Sequence, residues 1–108
     1  MHKPLVRLLK LNGLQYNANR DPQAYRRAAG EAFRLQALLD GKGDARCTVS
    51  DESGHELAGQ SVPRPGTFTA ELRFEHPGSR LVTLRVEGGG ETYLRTLRLD
   101  VLEPGPRH

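Results

Sequence analysis

Asp21-Pro22-Gln23-Ala24-Tyr25-Arg26-Arg27-Ala28-Ala29-Gly30-Glu31-Ala32-Phe33-Arg34-Leu35-Gln36-Ala37-Leu38-Leu39-Asp40-Gly41-Lys42-Gly43 is the stretch whose reading decides the fold. As a helix it has Asp21 at the N-cap and Pro22 at the first helical position. Tyr25, Ala28, Ala29, Ala32 and Leu39 then follow a helical period, and Gly41 closes it. As a strand, Phe33, Leu35, Ala37 and Leu39 alternate with Arg34, Gln36 and Leu38. Gly30 inside the helix would cost about 1 kcal/mol against Ala. The balance favours a strand from Glu31 to Leu39, which makes the chain all-β. The rival is an α+β fold, an antiparallel sheet packed by one helix near residues 22–39.

Moving outward, the segments on the C-terminal side all show period two. In Thr67 to Glu75, Phe68, Ala70, Leu72 and Phe74 alternate with Thr69, Glu71, Arg73 and Glu75, as a half-buried antiparallel strand requires. His76-Pro77-Gly78-Ser79 is a turn, because Pro fixes φ and Gly accepts the positive φ that other residues resist. Val82, Leu84 and Val86 form the next inward face, Gly88-Gly89-Gly90 turns the chain, and Leu97, Leu99 and Val101 line a strand over Thr92 to Leu102. These three strands are expected to pair as a meander. Ala45, Cys47 and Val49 alternate ahead of the turn Asp51-Glu52-Ser53-Gly54, and a short strand follows over His55 to Val62 before Pro63 and Pro65 interrupt. Leu5 to Leu14 alternates imperfectly and is expected to be the first strand, with Gln15 to Ala29 a long connection. Turn signals spaced about 8–12 residues apart belong to sandwiches and barrels.

The 108 residues make one domain, 1–108, with one core. Sixteen basic against 13 acidic side chains leave a net charge of +3, a small excess scattered among acids. A solvated surface accounts for it better than a duplex-binding face, which concentrates its cations. Cys47 is the only cysteine, so an intrachain disulfide is excluded. Arg7 and Lys10 break the leucine-rich run near Lys3, leaving neither a signal-peptide core nor a membrane span there. If Met1 is the native start, the expected location is the cytoplasm; as an excised domain of a larger protein, the chain would be exported.

Gly30-Glu31-Ala32-Phe33-Arg34-Leu35, Pro65-Gly66-Thr67-Phe68-Thr69-Ala70, Pro77-Gly78-Ser79-Arg80-Leu81-Val82-Thr83-Leu84-Arg85-Val86 and Leu97-Arg98-Leu99-Asp100-Val101 follow in an order that resembles a bacterial immunoglobulin-like module, of the polycystic-kidney-disease-type or filamin-type repeats. The resemblance covers about two-thirds of the chain and implies an antiparallel sandwich of about seven strands. It implies no site residues. Cys47-Thr48-Val49-Ser50-Asp51 stands where the kidney-disease type has an aromatic and acidic motif, and Arg80 stands where a tyrosine would make a tyrosine corner.

Chemical constellations are sparse. His2, His55, His76 and His108 are isolated in sequence, without metal-ligand spacing. A sandwich would bring His55, His76 and Asp51 to one pole, where solvated turn residues are the simpler account. The opposite pole would gather Asp40-Gly41-Lys42-Gly43-Asp44 and Gly88-Gly89-Gly90-Glu91, so Asp40, Asp44 and Glu91 are candidate oxygen donors for Ca²⁺. Glycine and aspartate are also the default turn residues. The Walker spacing of a phosphate loop is missing, and Ser53 and His55 near Asp51 are not spaced as a catalytic triad. Cys47 alternates inward, where burial leaves a thiol inert. Arg46, Arg85 and Arg98 are expected to point outward from one sheet as a partner-binding face, with Glu87 and Asp100 on the same strands as their competing ion-pair partners. The expected function is therefore a non-catalytic protein-interaction or structural module, without cofactor or metal. Its partner would be another protein or a neighbouring domain. The alternative is a small basic binder of nucleic acid or another polyanion; without exposed aromatics among the arginines, single-stranded nucleic acid is the weaker expectation.

Overall fold

A computed structural model of the chain describes residues 5–17 and 25–103. The proposed helix cap at Asp21 and Pro22 lies outside the described residues, as do Met1, His2, Lys3 and His108. The rest is nearly all strand: β1 Val6–Leu11, β2 Leu14–Gln15, β3 Arg27–Ala28, β4 Ala32–Ser50, β5 Glu56–Arg73, β6 Gly78–Gly88 and β7 Glu91–Leu102. The segment that decides the fold is a strand from Ala32 onward, so the rival helix near 22–39 is absent from its described part. The strands form one curled mixed sheet in the order β2-β1-β4-β6-β7-β3, with β5 paired to β4 off that path.

Two expected pairs of strands are each fused into one. In β4, Phe33, Leu35, Ala37 and Leu39 point inward before Gly41, and Ala45, Cys47 and Val49 point inward after Gly43. The phase survives because the interruption is a bulge rather than a turn. Between the pairs Leu39–Gly66 and Gly43–Arg64, three residues of β4 face one of β5. Carbonyls freed by the bulge are taken by Arg64, which donates from Nη1 to Asp40 O (3.3 Å), from Nε to Gly43 O (3.1 Å) and from Nη2 to Lys42 O. A Cβ at Gly41, where φ is +109°, would lie 2.6 Å from Arg64 Nη1. β5 likewise runs through Pro63 and Pro65. Proline is tolerated on an edge strand, and among the described residues β5 has only β4 beside it.

Because β4 and β5 are long and bent, the sheet has two halves. One holds β1, the first part of β4 and the last part of β5; the other holds the first part of β5, the last part of β4, then β6 and β7, with β3 parallel to the end of β7. The expected meander therefore needs correction. β6 and β7 form the expected hairpin, but Thr67–Arg73 pairs with β4 instead of β6, and residues 74–77 carry the chain from one half to the other. Period two alone cannot distinguish these partners, since it defines a strand's faces and not its neighbours. The imperfect alternation of β1 also has a cause, a register shift between Val6 and Leu8. Its hairpin to β2 turns on Asn12 and Gly13 at φ +54° and +83°, the conformation that an Asn-Gly pair adopts at little cost.

Inward side chains of both halves form a single core cluster, with Phe33, Leu35, Cys47, Leu84, Leu97 and Leu99 fully buried. Each such aliphatic or aromatic residue contributes roughly 1.5–3 kcal/mol of burial. No polar or charged side chain is buried among the described residues. None of their helices is long and apolar enough to cross a membrane.

Candidate functional site

The outward face of β4, β6 and β7 carries all three expected arginines, each exposed. Register separates them. Arg46 stands opposite Glu87 and Thr48 opposite Arg85, so Arg46 and Arg85 are diagonal neighbours. Arg98 stands opposite Leu81, four β6 positions from Arg85, or roughly 13 Å. The charges of Arg85 and Arg98 are met locally. Arg85 Nε lies 3.0 Å from Glu87 Oε1, and Arg98 Nε lies 2.9 Å from Asp100 Oδ1. Ser79 completes the second group, its hydroxyl 3.2 Å from Arg98 Nη2 and donating to Asp100 Oδ1 at 3.0 Å. Arg46 reaches over Gly59, where an added Cβ would lie 2.9 Å from its Nη2 and 2.8 Å from Glu56 Oε2. Beside these two pairs the face exposes large apolar side chains. Leu94 is 62% exposed opposite Arg85, and Leu81 is 48% exposed opposite Arg98.

The glycine-rich segments at the bulge and the β6–β7 turn do become neighbours, joined through Arg64. A Cβ at Gly88 or Gly89 would lie 3.1 or 3.3 Å from its guanidinium. Asp40 faces Arg7, with 3.7 Å from its Oδ1 to Arg7 Nε. Asp44 is exposed opposite Pro63, and Glu91 begins β7 opposite Gly88. The cation at the centre of this pole is thus a guanidinium. Among the described residues no three His, Cys, Asp or Glu side chains are grouped to hold a metal ion, here or between Asp51, His55 and His76. Asp51 instead organises its own turn, its Oδ1 accepting from the backbone N–H groups of Ser53 and His55, both at 2.9 Å. His55 Nδ1 lies 3.8 Å from Asp51 Oδ2. Desolvation pushes the Cys47 thiol up to about 11 against the opposing influence of Arg46, so the thiolate is scarce near neutrality.

A further site lies where the curled sheet fails to close. Odd-numbered residues of β7 face inward, and Leu97, Leu99 and Val101 are buried there, but the same face continues into Tyr93 and Arg95. These meet β1 and the segment after β2 across a cleft of about 250 Å³ whose polar lining is Arg7, Gln15, Tyr16, Tyr93 and Arg95. The Arg95 guanidinium carbon stands 5.3 Å from the centre of the Tyr16 ring. Tyr16 is held from behind by Tyr25, with ring centres 5.4 Å apart. The Tyr25 hydroxyl donates to Gln15 O at 2.9 Å and accepts from Asn17 N–H at 3.0 Å. Reading only the apolar members of β7 missed this cleft. Its signal was parity, because Tyr93 and Arg95 share the phase of Leu97, Leu99 and Val101.

No protein-family model matches the chain, and no curated protein matches it in sequence.

Proposed function

We propose that the chain is a non-catalytic, immunoglobulin-like module for protein interaction or structural support. Strand pairing supports the immunoglobulin-like part. β1, the first part of β4 and the last part of β5 follow one another as strands A, B and E of such a domain, and the first part of β5, the last part of β4, β6 and β7 follow as C′, C, F and G. The departure is that β4 and β5 run unbroken through both halves.

The observation carrying the interaction reading is the outward face of β6 and β7. Leu81 and Leu94 stand there beside arginines already neutralised by Asp100 and Glu87. Such a face suits a protein surface, where exposed leucines can be desolvated, better than a phosphate backbone, which needs free cations. A photo-crosslinking residue at Leu94, compared with one at exposed Thr69 on the other half, tests this in cells expressing the chain. A discrete protein adduct is expected from Leu94 alone. Steeply salt-dependent binding of duplex DNA or heparin, abolished in Arg85→Gln/Arg98→Gln, would instead establish the polyanion reading.

A further inference from the structure

Arg95 differs from Arg85 and Arg98 on the outward face. It projects inward and is half-buried, with no carboxylate partner among the described residues. Among the described residues its one close interaction is with the Tyr16 ring, whose centre lies 5.3 Å from the guanidinium carbon, and its N–H donors have no hydrogen-bond acceptor there. The rest of the polar lining is also rich in donors. Tyr16 Oη accepts from Arg98 N–H at 3.4 Å, so its own proton remains to be given, and Arg7, Gln15 and Tyr93 add further donors. Among the described residues no aspartate or glutamate lines the cleft, and of its two arginines only Arg7 has a carboxylate partner, Asp40. A pocket whose described lining has several donors and no carboxylate is complementary to an oxyanion, and a guanidinium takes a carboxylate best through its planar fork.

Backbone beside the cleft points to what carries that carboxylate. β7 is paired along one edge with β6, whereas on its other edge, among the described residues, it pairs only with β3, at Val101 and Leu102, and gives the Arg98 N–H to Tyr16 Oη. From Thr92 to Thr96 the described structure leaves that edge open to an extended segment, which would present alternate side chains to the cleft.

We infer that the seam between β1 and β7 binds a glutamate or aspartate side chain of an extended acidic segment in a partner protein, held mainly by Arg95 with help from the Tyr93 and Tyr16 hydroxyls. This rests on the protein-interaction reading and gives it a second surface, distinct from the leucines of the outward face. Arg95 is a ligand here rather than a catalytic group, and no bond is made or broken.

The test titrates the full chain with an acetylated, amidated peptide of alternating valine and glutamate, with its glutamine counterpart, and with inorganic phosphate, read by backbone amide shifts. The glutamate peptide should move signals at Tyr16, Tyr93 and Arg95, and bind about tenfold more tightly than the glutamine peptide. Arg95→Gln should cost about the same tenfold and Tyr93→Phe a few-fold, while Arg98→Gln should leave binding unchanged. If Arg95→Gln does not fold, the peptide comparison and Tyr93→Phe decide. Equal affinity for both peptides, shifts confined to the outward face, or phosphate displacing the peptide at equal concentration would overturn the proposal. The Leu94 crosslink is read independently, so a failed cleft and a failed interaction module give different results.

Discussion

The two faces of β7 hold the same residue type in opposite states. On the outward face Arg98 is closed into a group with Asp100 and Ser79 over distances of 2.9 to 3.2 Å. On the inward face, three residues earlier, Arg95 lies against the Tyr16 ring and meets no carboxylate among the described residues. Solvent and neighbours explain the difference. An outward arginine on a flat sheet finds an acid at the next same-face position and is largely screened by water. Arg95 lies where the sheet curls without closing, so its neighbours come from β1 and from Tyr16, far away in sequence, and these bring donors.

Several substitutions sharpen or break this contrast. The largest effect belongs to the inward face. Leu97→Ala, at a fully buried position, should destabilise the domain by about 2–5 kcal/mol in urea unfolding. Leu94→Ala, three residues earlier on the outward face, should remain within about 0.5 kcal/mol. Comparable losses from the two would mean that the outward face is also covered.

Next is the buried thiol on β4, two strands away across β6. Desolvation raises Cys47 from 9.0 to about 11 in the folded chain. Its neutral form therefore contributes stability that is complete below pH 9.0 and is lost as pH rises through about 11. The wild type should lose on the order of 2–3 kcal/mol more than Cys47→Ala across that window. Identical pH profiles would show that the site is wet.

Arg64 is the third. It is an arginine given to structure, spanning the bulge and the β6–β7 turn. Arg64→Ala should cost about 1–3 kcal/mol by leaving carbonyls without their donor. Arg64→Lys should rescue little, since an ammonium lacks the fork that reaches all of them. The smallest effect is expected from the outward pair. A double-mutant cycle of Arg98→Gln with Asp100→Asn should give a coupling of about 0.2–1 kcal/mol that fades in salt.

The legibility of these regions in the sequence followed the physics of each. Strand faces were readable from period two, even in the ambiguous segment, where Phe33, Leu35, Ala37 and Leu39 alternate without a break. Gly30 proved to lie just before β4 at φ +86°, a position unsuited to a helix interior. Partners were not readable. Nothing local in Thr67–Arg73 distinguishes β4 from β6 as its neighbour, and nothing in Asp40–Asp44 announces that Arg64, some twenty residues away, will turn a loop into a bulge. The outward arginines were found because charge on the polar phase of a strand is conspicuous. Arg95 was passed over because it stands on the apolar phase, where a charged residue breaks the pattern and is easily taken for the end of the inward face.

The contrast between the two arginine environments is tested most directly by the side-chain Nε–Hε signals of Arg85, Arg95 and Arg98, followed together while the glutamate peptide is added at low salt. A shift that saturates at Arg95, with Arg85 and Arg98 unmoved, is the result predicted. Movement of Arg85 and Arg98 with Arg95 still would contradict it, placing the available charge on the outward face and the quenched one in the seam.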